Sequence, residues 1–185
     1  MPVLDVLLYP DPRLKQPSPP VEAVDATVQG VVDDLIETMH AHPGVGVAAP
    51  QVGVMQRIVV IDVTGKAPGQ GLIVMINPVI TRMEEEKTVR EGCLSIPEYT
   101  ANVTRAQKVW FTAQDRDGVS RELYSEGLEA VAVQHEMDHL DGILFLDRVR
   151  SLKKDLFRRK AYVPPPDRPT FVVDEQAGKL IPQTQ

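Results

Sequence analysis

The sequence predicts an α+β fold: short antiparallel or mixed strands packed around a central helix that carries two histidines, with a further helix toward the C-terminus. Three observations support this. Apolar residues recur at helical spacing in two stretches, 27–40 and 127–140. Short runs rich in β-branched and aromatic residues, bounded by turn signals, lie between and around them. At 185 residues the chain can bury one full hydrophobic core and is short for two.

The elements follow in order. Residues 1–24 hold Pro2, Pro10, Pro12, Pro17, Pro19 and Pro20 and should run extended, because proline fixes φ and biases its predecessor away from helix. Over 27–40, Val28, Val31, Val32, Leu35, Ile36 and Met39 form one apolar helix face, which stops at His42-Pro43-Gly44. Strands are predicted over 57–63, 72–77 and 109–114, and over 119–124 after the turn signal Asp117-Gly118. A second helix over 127–140 places Leu128, Val131, Ala132, His135 and His139 on one face. A third, basic helix is expected over 146–160. Pro164-Pro165-Pro166 then ends helical structure. The expected organisation is one domain over 1–162 and a proline-bearing tail over 163–185, extended or without fixed structure. There is no internal repeat.

Composition narrows the function classes. With 43% hydrophobic and 25% charged residues the chain reads as an ordinary globular protein. No apolar run approaches the length of a membrane span. The first residues lack both a basic region and a small-residue cleavage site, so a secretory signal is not expected. One cysteine allows no intramolecular disulfide, which fits a reducing cytoplasm and leaves Cys93 as a ligand, a nucleophile or a buried apolar group. The net charge of −6 argues against DNA binding. Residues 148–160, however, carry seven basic residues against one acidic, net +6, leaving −12 for the remainder. That asymmetry hints at an anionic partner.

The strongest motif is Gln134-His135-Glu136-Met137-Asp138-His139, which contains H-E-x-x-H. On a helix, residues four apart share a face, so both imidazoles can meet one ion, and Glu136 beside them can serve as general base. A chance pentapeptide on a solvated helix is the bland alternative. The two histidines continue the apolar face, however, and partly buried imidazoles are costly without partners or a metal. A catalytic site needs a third ligand and an open position. His40, His42 and Cys93 are the candidates. Cys93 lies in Arg90-Glu91-Gly92-Cys93-Leu94-Ser95-Ile96-Pro97, a turn-like stretch in which Gly92 relaxes the backbone. A His2Cys set suits zinc and ferrous iron alike. The small-residue segment Gly44–Gly53 would let backbone approach a ligand closely, and its spacing matches no phosphate-binding loop.

Together these segments, GVGVAAPQ (44–51), EGCLS (91–95) and QHEMDH (134–139), resemble the peptide deformylases closely. The likeness runs from YPDPRL (9–14) to about Leu146. The resemblance implies a metal-dependent hydrolase that removes the formyl group from N-formylmethionine at the N-terminus of newly made polypeptides and releases formate. It implies that Cys93, His135 and His139 bind one divalent metal ion. Ferrous iron would be native, with zinc, nickel or cobalt as substitutes in purified protein. Glu136 would take a proton from water and pass it to the departing amine. Gln51 and the backbone N–H of Leu94 would stabilise charge on the formyl oxygen. The Gly46 backbone would pair with the substrate peptide, and Val45, Val89, Leu128, Val131 and Ala132 would line the methionine pocket. Glu91 is a candidate for fixing the motif loop or accepting a hydrogen bond.

The resemblance implies a cytoplasmic enzyme acting on nascent chains, with the ribosome as a candidate partner through 148–160. Many bacterial members carry arginine where this chain has Thr100, a departure that bears on contacts to downstream substrate residues and not on the chemistry. Two rivals are weighed. A general H-E-x-x-H peptidase takes its third ligand C-terminal to the motif, whereas Cys93 is upstream. A closed, non-catalytic binding site would have no need of Glu136 and Gln51.

Overall fold

The computed structural model describes residues 2–183. Helix α1, Ala26–His40, begins where Asp25 accepts a hydrogen bond from the Val28 N–H (3.0 Å), satisfying an amide that the first turn leaves free. Its buried stripe is Val28, Val32, Leu35 and Met39, as the spacing predicts. Strands β1 (Gly46–Ala48), β2 (Ile58–Ile61), β3 (Ile73–Cys93), β4 (Ile96–Gln114) and β5 (Ser120–Glu126) are successive neighbours in one antiparallel sheet. Helix α2, Gly127–Leu140, is buried at every residue from Glu129 to Leu140.

Side-chain alternation explains how the sheet holds two helices. In β2, Ile58 and Val60 pack with the α1 stripe, while Val59 and Ile61 pack with Ala130, Val133, Met137 and Leu140 of α2. Successive strand residues point to opposite faces, and a strand covered on both faces reads as the unbroken apolar run IVVI. α2 is therefore the central helix of the α+β fold that the sequence predicts.

The strands correct the sequence reading in length. The expected runs 72–77 and 109–114 are the ends of one long hairpin, β3–β4, paired from Ile76 opposite Gln114 to Cys93 opposite Ile96 with three register shifts between. Its turn is Leu94-Ser95, so Gly92 lies inside β3 rather than in the turn.

The predicted helix over 146–160 is absent. A single turn, Phe145–Arg148, gives way to extended backbone at Val149 (φ −72°, ψ 125°). A second turn, Leu152–Asp155, is capped by Ser151. Strand β6, Leu156–Arg158, then pairs with Tyr99–Ala101 of β4. A continuous helix would stack like charges four residues apart, Arg150 on Lys154 and Lys154 on Arg158, which destabilises. The exposed edge of β4 offers backbone hydrogen bonds instead.

The tail is also ordered where it was expected to be extended or unstructured. β7 (Phe171–Asp174) and β8 (Lys179–Pro182) form a hairpin. Its Phe171 and Leu180 are buried with Leu14, Cys93, Ile96, Tyr99 and Phe145. The Tyr99 hydroxyl donates to the Phe171 carbonyl (2.8 Å). Arg168 pairs with Glu98, both side chains under 10% exposed. No helix of the described residues is long and apolar enough to cross a membrane.

Candidate active site

Three side chains from two elements converge. α2 presents His135 and His139 one turn apart, their rings edge-on with centroids 5.2 Å apart. The end of β3 presents Cys93, whose Sγ lies 3.3 Å from His139 Nε2. The ligand atoms of all three lie within 4.8 Å of one another, and all three residues are buried. His40 and His42, the other candidates for a third ligand, are not in this cluster.

The cluster fits a metal. Bonds of about 2.0–2.3 Å at tetrahedral angles put donor atoms roughly 3.3–3.6 Å apart, which the Cys93–His139 separation matches. The Glu91 carboxylate receives His135 Nδ1 at 2.8 Å, so the proton sits on Nδ1 and the Nε2 lone pair is left for a cation. Burial opposes charge on His135, yet the Cys93 thiol and the Glu91 carboxylate outweigh it and favour positive charge there. A divalent ion supplies that charge without protonating the ring. His139 is pushed well down by burial and by the neighbouring His135, which keeps it neutral as a ligand must be.

The support for His135 is itself fixed by ion pairs. Arg105 donates to both Glu91 oxygens (2.6 and 3.0 Å) and to Asp138 (2.7 Å), and Arg148 closes on Asp138 from outside (2.7 Å). Burial pushes Glu91 up, but hydrogen bonds from His135 and Arg105 outweigh it and hold the carboxyl at about 2. Sequence reading found Glu91, gave no role to Arg105 or Asp138, and took Arg148 only as part of the basic segment offered to the ribosome. Asp138 sits inside the QHEMDH motif, which is a signal. Arg105 carries none, because only the β3–β4 register brings it opposite Lys87 and onto Glu91.

Glu136 lies on the other side of the histidines. Burial pushes its carboxyl up to about 7, and its Oε2 is buried without a hydrogen-bond partner. A nearby cation lowers such a carboxyl, so the spare oxygen and the metal cluster suit one another. Gly46 makes room for it: a Cβ there would lie 2.9 Å from both Cγ and Oε1 of Glu136.

Gln51 stands in the short turn Ala49–Val52. Its Oε1 accepts from the Ala48 N–H (2.9 Å), which turns its amide nitrogen toward Ser95 Oγ (3.2 Å) and Cys93 Sγ (3.6 Å). Leu94, half-buried in the β3–β4 turn, reaches toward Gly44. Of the expected pocket residues, Val131 and Ala132 are buried on α2 and Val45 packs against the same core as Ala132. Leu128 is 39% exposed in the first turn of α2, and Val89 is half-buried on β3 opposite Val103.

Known proteins resemble this chain over most of its length. A family model described as polypeptide deformylase matches residues 3–155. A peptide deformylase of Alkalilimnicola ehrlichii is 49% identical over 86% of this chain and 89% of its own. The crystal structure of a peptide deformylase from Legionella pneumophila superposes with a TM-score of 0.77 at 42% identity, covering 83% of this chain and 89% of that one. A class I type b peptide deformylase from Acinetobacter baumannii with Met-Ala-Ser bound gives 0.76 at 34% identity, over 80% and 99% of the two chains. Matched from near its first residue through the histidine helix and beyond, the chain belongs to the polypeptide deformylase family.

Proposed function

We propose that Cys93, His135 and His139 hold a divalent cation, natively ferrous iron, and that Glu136 moves the proton in this family's reaction. That reaction is hydrolysis of the formyl group from N-formylmethionine at the N-terminus of new polypeptides. The observation that carries the residue assignment is one thiol and two imidazoles within 4.8 Å of one another, beside a buried carboxylate with a spare oxygen.

Held by Cys93, His135 and His139, a divalent cation would supply the Lewis acidity that makes water a nucleophile at neutral pH. Glu136 takes the proton of the attacking water and hands it to the departing amine, so formate and a free amino terminus leave. Negative charge develops on the formyl oxygen. Gln51, its amide nitrogen aimed by the Ala48 N–H, and the backbone N–H of Leu94 are the donors that meet it. Losing one such donor lowers kcat by about 10²–10³.

The Gly46 backbone pairs with the substrate along the outer edge of β1, which has no strand partner among the described residues. Val45, Val131 and Ala132 receive the methionine side chain, with Leu128 and Val89 at the rim. The peptide bound to the A. baumannii relative begins with methionine, as the product here would. The His2Cys donor set serves iron, zinc, nickel and cobalt alike, and the family likeness is what favours iron. Acting on nascent chains places the enzyme in the cytoplasm.

The test is formate release from formyl-Met-Ala-Ser, with the unformylated peptide as control, on protein purified without oxygen and analysed for metal. Glu136→Ala should abolish turnover with metal retained, and Cys93→Ala should lose the metal. No formate from metal-loaded protein overturns the reading.

Contact with the ribosome through 148–160 belongs to the same proposal. Arg148 is engaged by Asp138 and Lys153 by Glu175, which leaves Arg150, Lys154, Arg158, Arg159 and Lys160 exposed for an anionic surface. Charge reversal at Lys154 and Lys160 should weaken co-sedimentation with ribosomes; unchanged co-sedimentation removes this partner.

A further inference from the structure

The residue before the thiol ligand carries an unexpected neighbour. Gly92 is exposed, while Glu91 and Cys93 on either side are buried. A Cβ built on Gly92 would overlap Nη2 of Arg159, lie 3.4 Å from its Cζ, and lie 3.5 Å from the Thr100 methyl. Gly92 and Thr100 are register partners across β3–β4. The guanidinium of Arg159 therefore reaches bare backbone with Nη2 foremost, one residue from Cys93.

Its position is built rather than incidental. β6 pairs with Tyr99–Ala101, and the Arg159 N–H extends that pairing by donating to the Glu98 carbonyl (2.7 Å). Glu98 is anchored in turn by buried Arg168. The neighbouring cation is already engaged: Arg90 donates to Asn102 (3.1 Å) and stacks on Phe157, 3.5 Å from the ring centroid. Arg159 has no carboxylate within ion-pair distance among the described residues. The residue is exposed, and its Nη2 is the atom nearest Gly92.

The unpaired strand edges say what passes there. β1 has no partner on its outer edge, and β3 pairs with β2 only as far as Ile76. Two open edges, one at Gly46 and one at Glu91–Gly92, thus flank the cluster. An extended peptide whose first residue reaches the cluster would lie between them as an added strand. At about 3.3 Å per residue, its second and third residues come abreast of Gly92.

We infer that Arg159 is a substrate-binding residue, donating to main-chain carbonyl oxygens of the residues that follow methionine. A guanidinium suits this role: it presents several donors in a fixed plane and stays charged. The inference rests on the substrate lying along Gly46, as proposed above. It also assigns a function to a residue just past the family match, which ends at 155.

The test compares formyl-Met-Ala-Ser-amide with formyl-Met-amide, both lacking a free carboxylate. Arg159→Ala should raise KM for the longer peptide about tenfold and leave its kcat within about twofold, the signature of lost binding rather than lost chemistry. KM for formyl-Met-amide should stay within about twofold. Because Thr100 touches the same spot, Thr100→Arg in the Arg159→Ala background should restore KM for the longer peptide. Equal shifts for both peptides, or none, overturn the inference. A loss confined to the free acid formyl-Met-Ala-Ser also overturns it, by assigning Arg159 to the terminal carboxylate. Failure of the wild type to turn over formyl-Met-amide would instead count against the substrate path itself.

Discussion

Glu91 Oε2 lies 2.8 Å from His135 Nδ1, and the same carboxylate accepts two hydrogen bonds from Arg105. Glu91 thus sets the tautomer and the aim of a ring in the proposed metal site while neutralising a buried guanidinium.

Glu91→Ala should therefore do two things at once. It should weaken metal affinity about 10–100-fold, the usual effect of losing the partner that orients a ligand histidine. It should also destabilise the fold by about 3–5 kcal/mol, because the 4%-exposed Arg105 side chain keeps only Asp138 as a buried counter-charge. Chelator competition reads the first effect and urea unfolding the second. Metal affinity equal to wild type would show that Glu91 supports Arg105 alone.

Gly46→Ala tests the geometry of the proton shuttle proposed for Glu136. The added methyl would sit 2.9 Å from Cγ and Oε1 of Glu136, well inside contact distance. The carboxylate must move, and a displacement of about 1 Å can cost on the order of 10² in rate. The expected result is a kcat lower by about 10–100-fold with full metal content. Metal analysis beside steady-state kinetics separates this from loss of the ion.

How much of this was legible in the sequence depends on how local the cause is. His135 and His139 are one helical turn apart, so their meeting follows from spacing alone. Cys93 is 46 residues from His139, and nothing local selected it over His40 or His42; the family motifs did. The α1 stripe was legible because its core face repeats at three and four. The middle of β3 was not: residues 81–88 are exposed at nearly every position, and their strand is held by backbone pairing to β4 rather than by an apolar pattern. The basic segment misled for a related reason. Residues 146–160 have helical composition, but stacked like charges and an open edge on β4 favour two single turns and a strand. Arg105 shows the limit most plainly, since its partners come from a register that only the folded hairpin defines.

Metal removal should lower stability as well as activity. The three donors come from β3 and α2, so an ion bound to them ties the sheet to its central helix, and the unfolded chain lacks that convergence. Binding only to the folded state at a thousand times Kd adds about 4 kcal/mol. Chelated protein should therefore melt at a lower temperature and recover when ferrous iron or zinc is returned. A Cys93→Ala variant should melt at the same temperature with or without added metal. If the chelator shifted that variant as it shifts wild type, the stabilising ion would be bound somewhere other than this cluster.

The C-terminal hairpin is tied to the domain by a buried ion pair. Arg168 and Glu98 are paired in the interior, and Arg168 also donates to the Tyr9 carbonyl (3.1 Å). One ion pair thus joins the N-terminal segment, the start of β4 and the approach to β7. Removing one partner strands a buried charge. Arg168→Ala should cost about 3–5 kcal/mol, whereas replacing both partners with apolar residues of similar size should cost far less. Phe171→Ala, which empties a 3%-exposed site between Tyr9 and Tyr99, should cost about 3–5 kcal/mol by cavity formation. Urea unfolding of the three variants checks both figures. Metal content should not change in any of them, because none of the altered side chains touches His135, His139 or Cys93 through a hydrogen bond or ion pair. A cost below about 1 kcal/mol for Arg168→Ala would mean that the hairpin is an appendage rather than part of the domain's core.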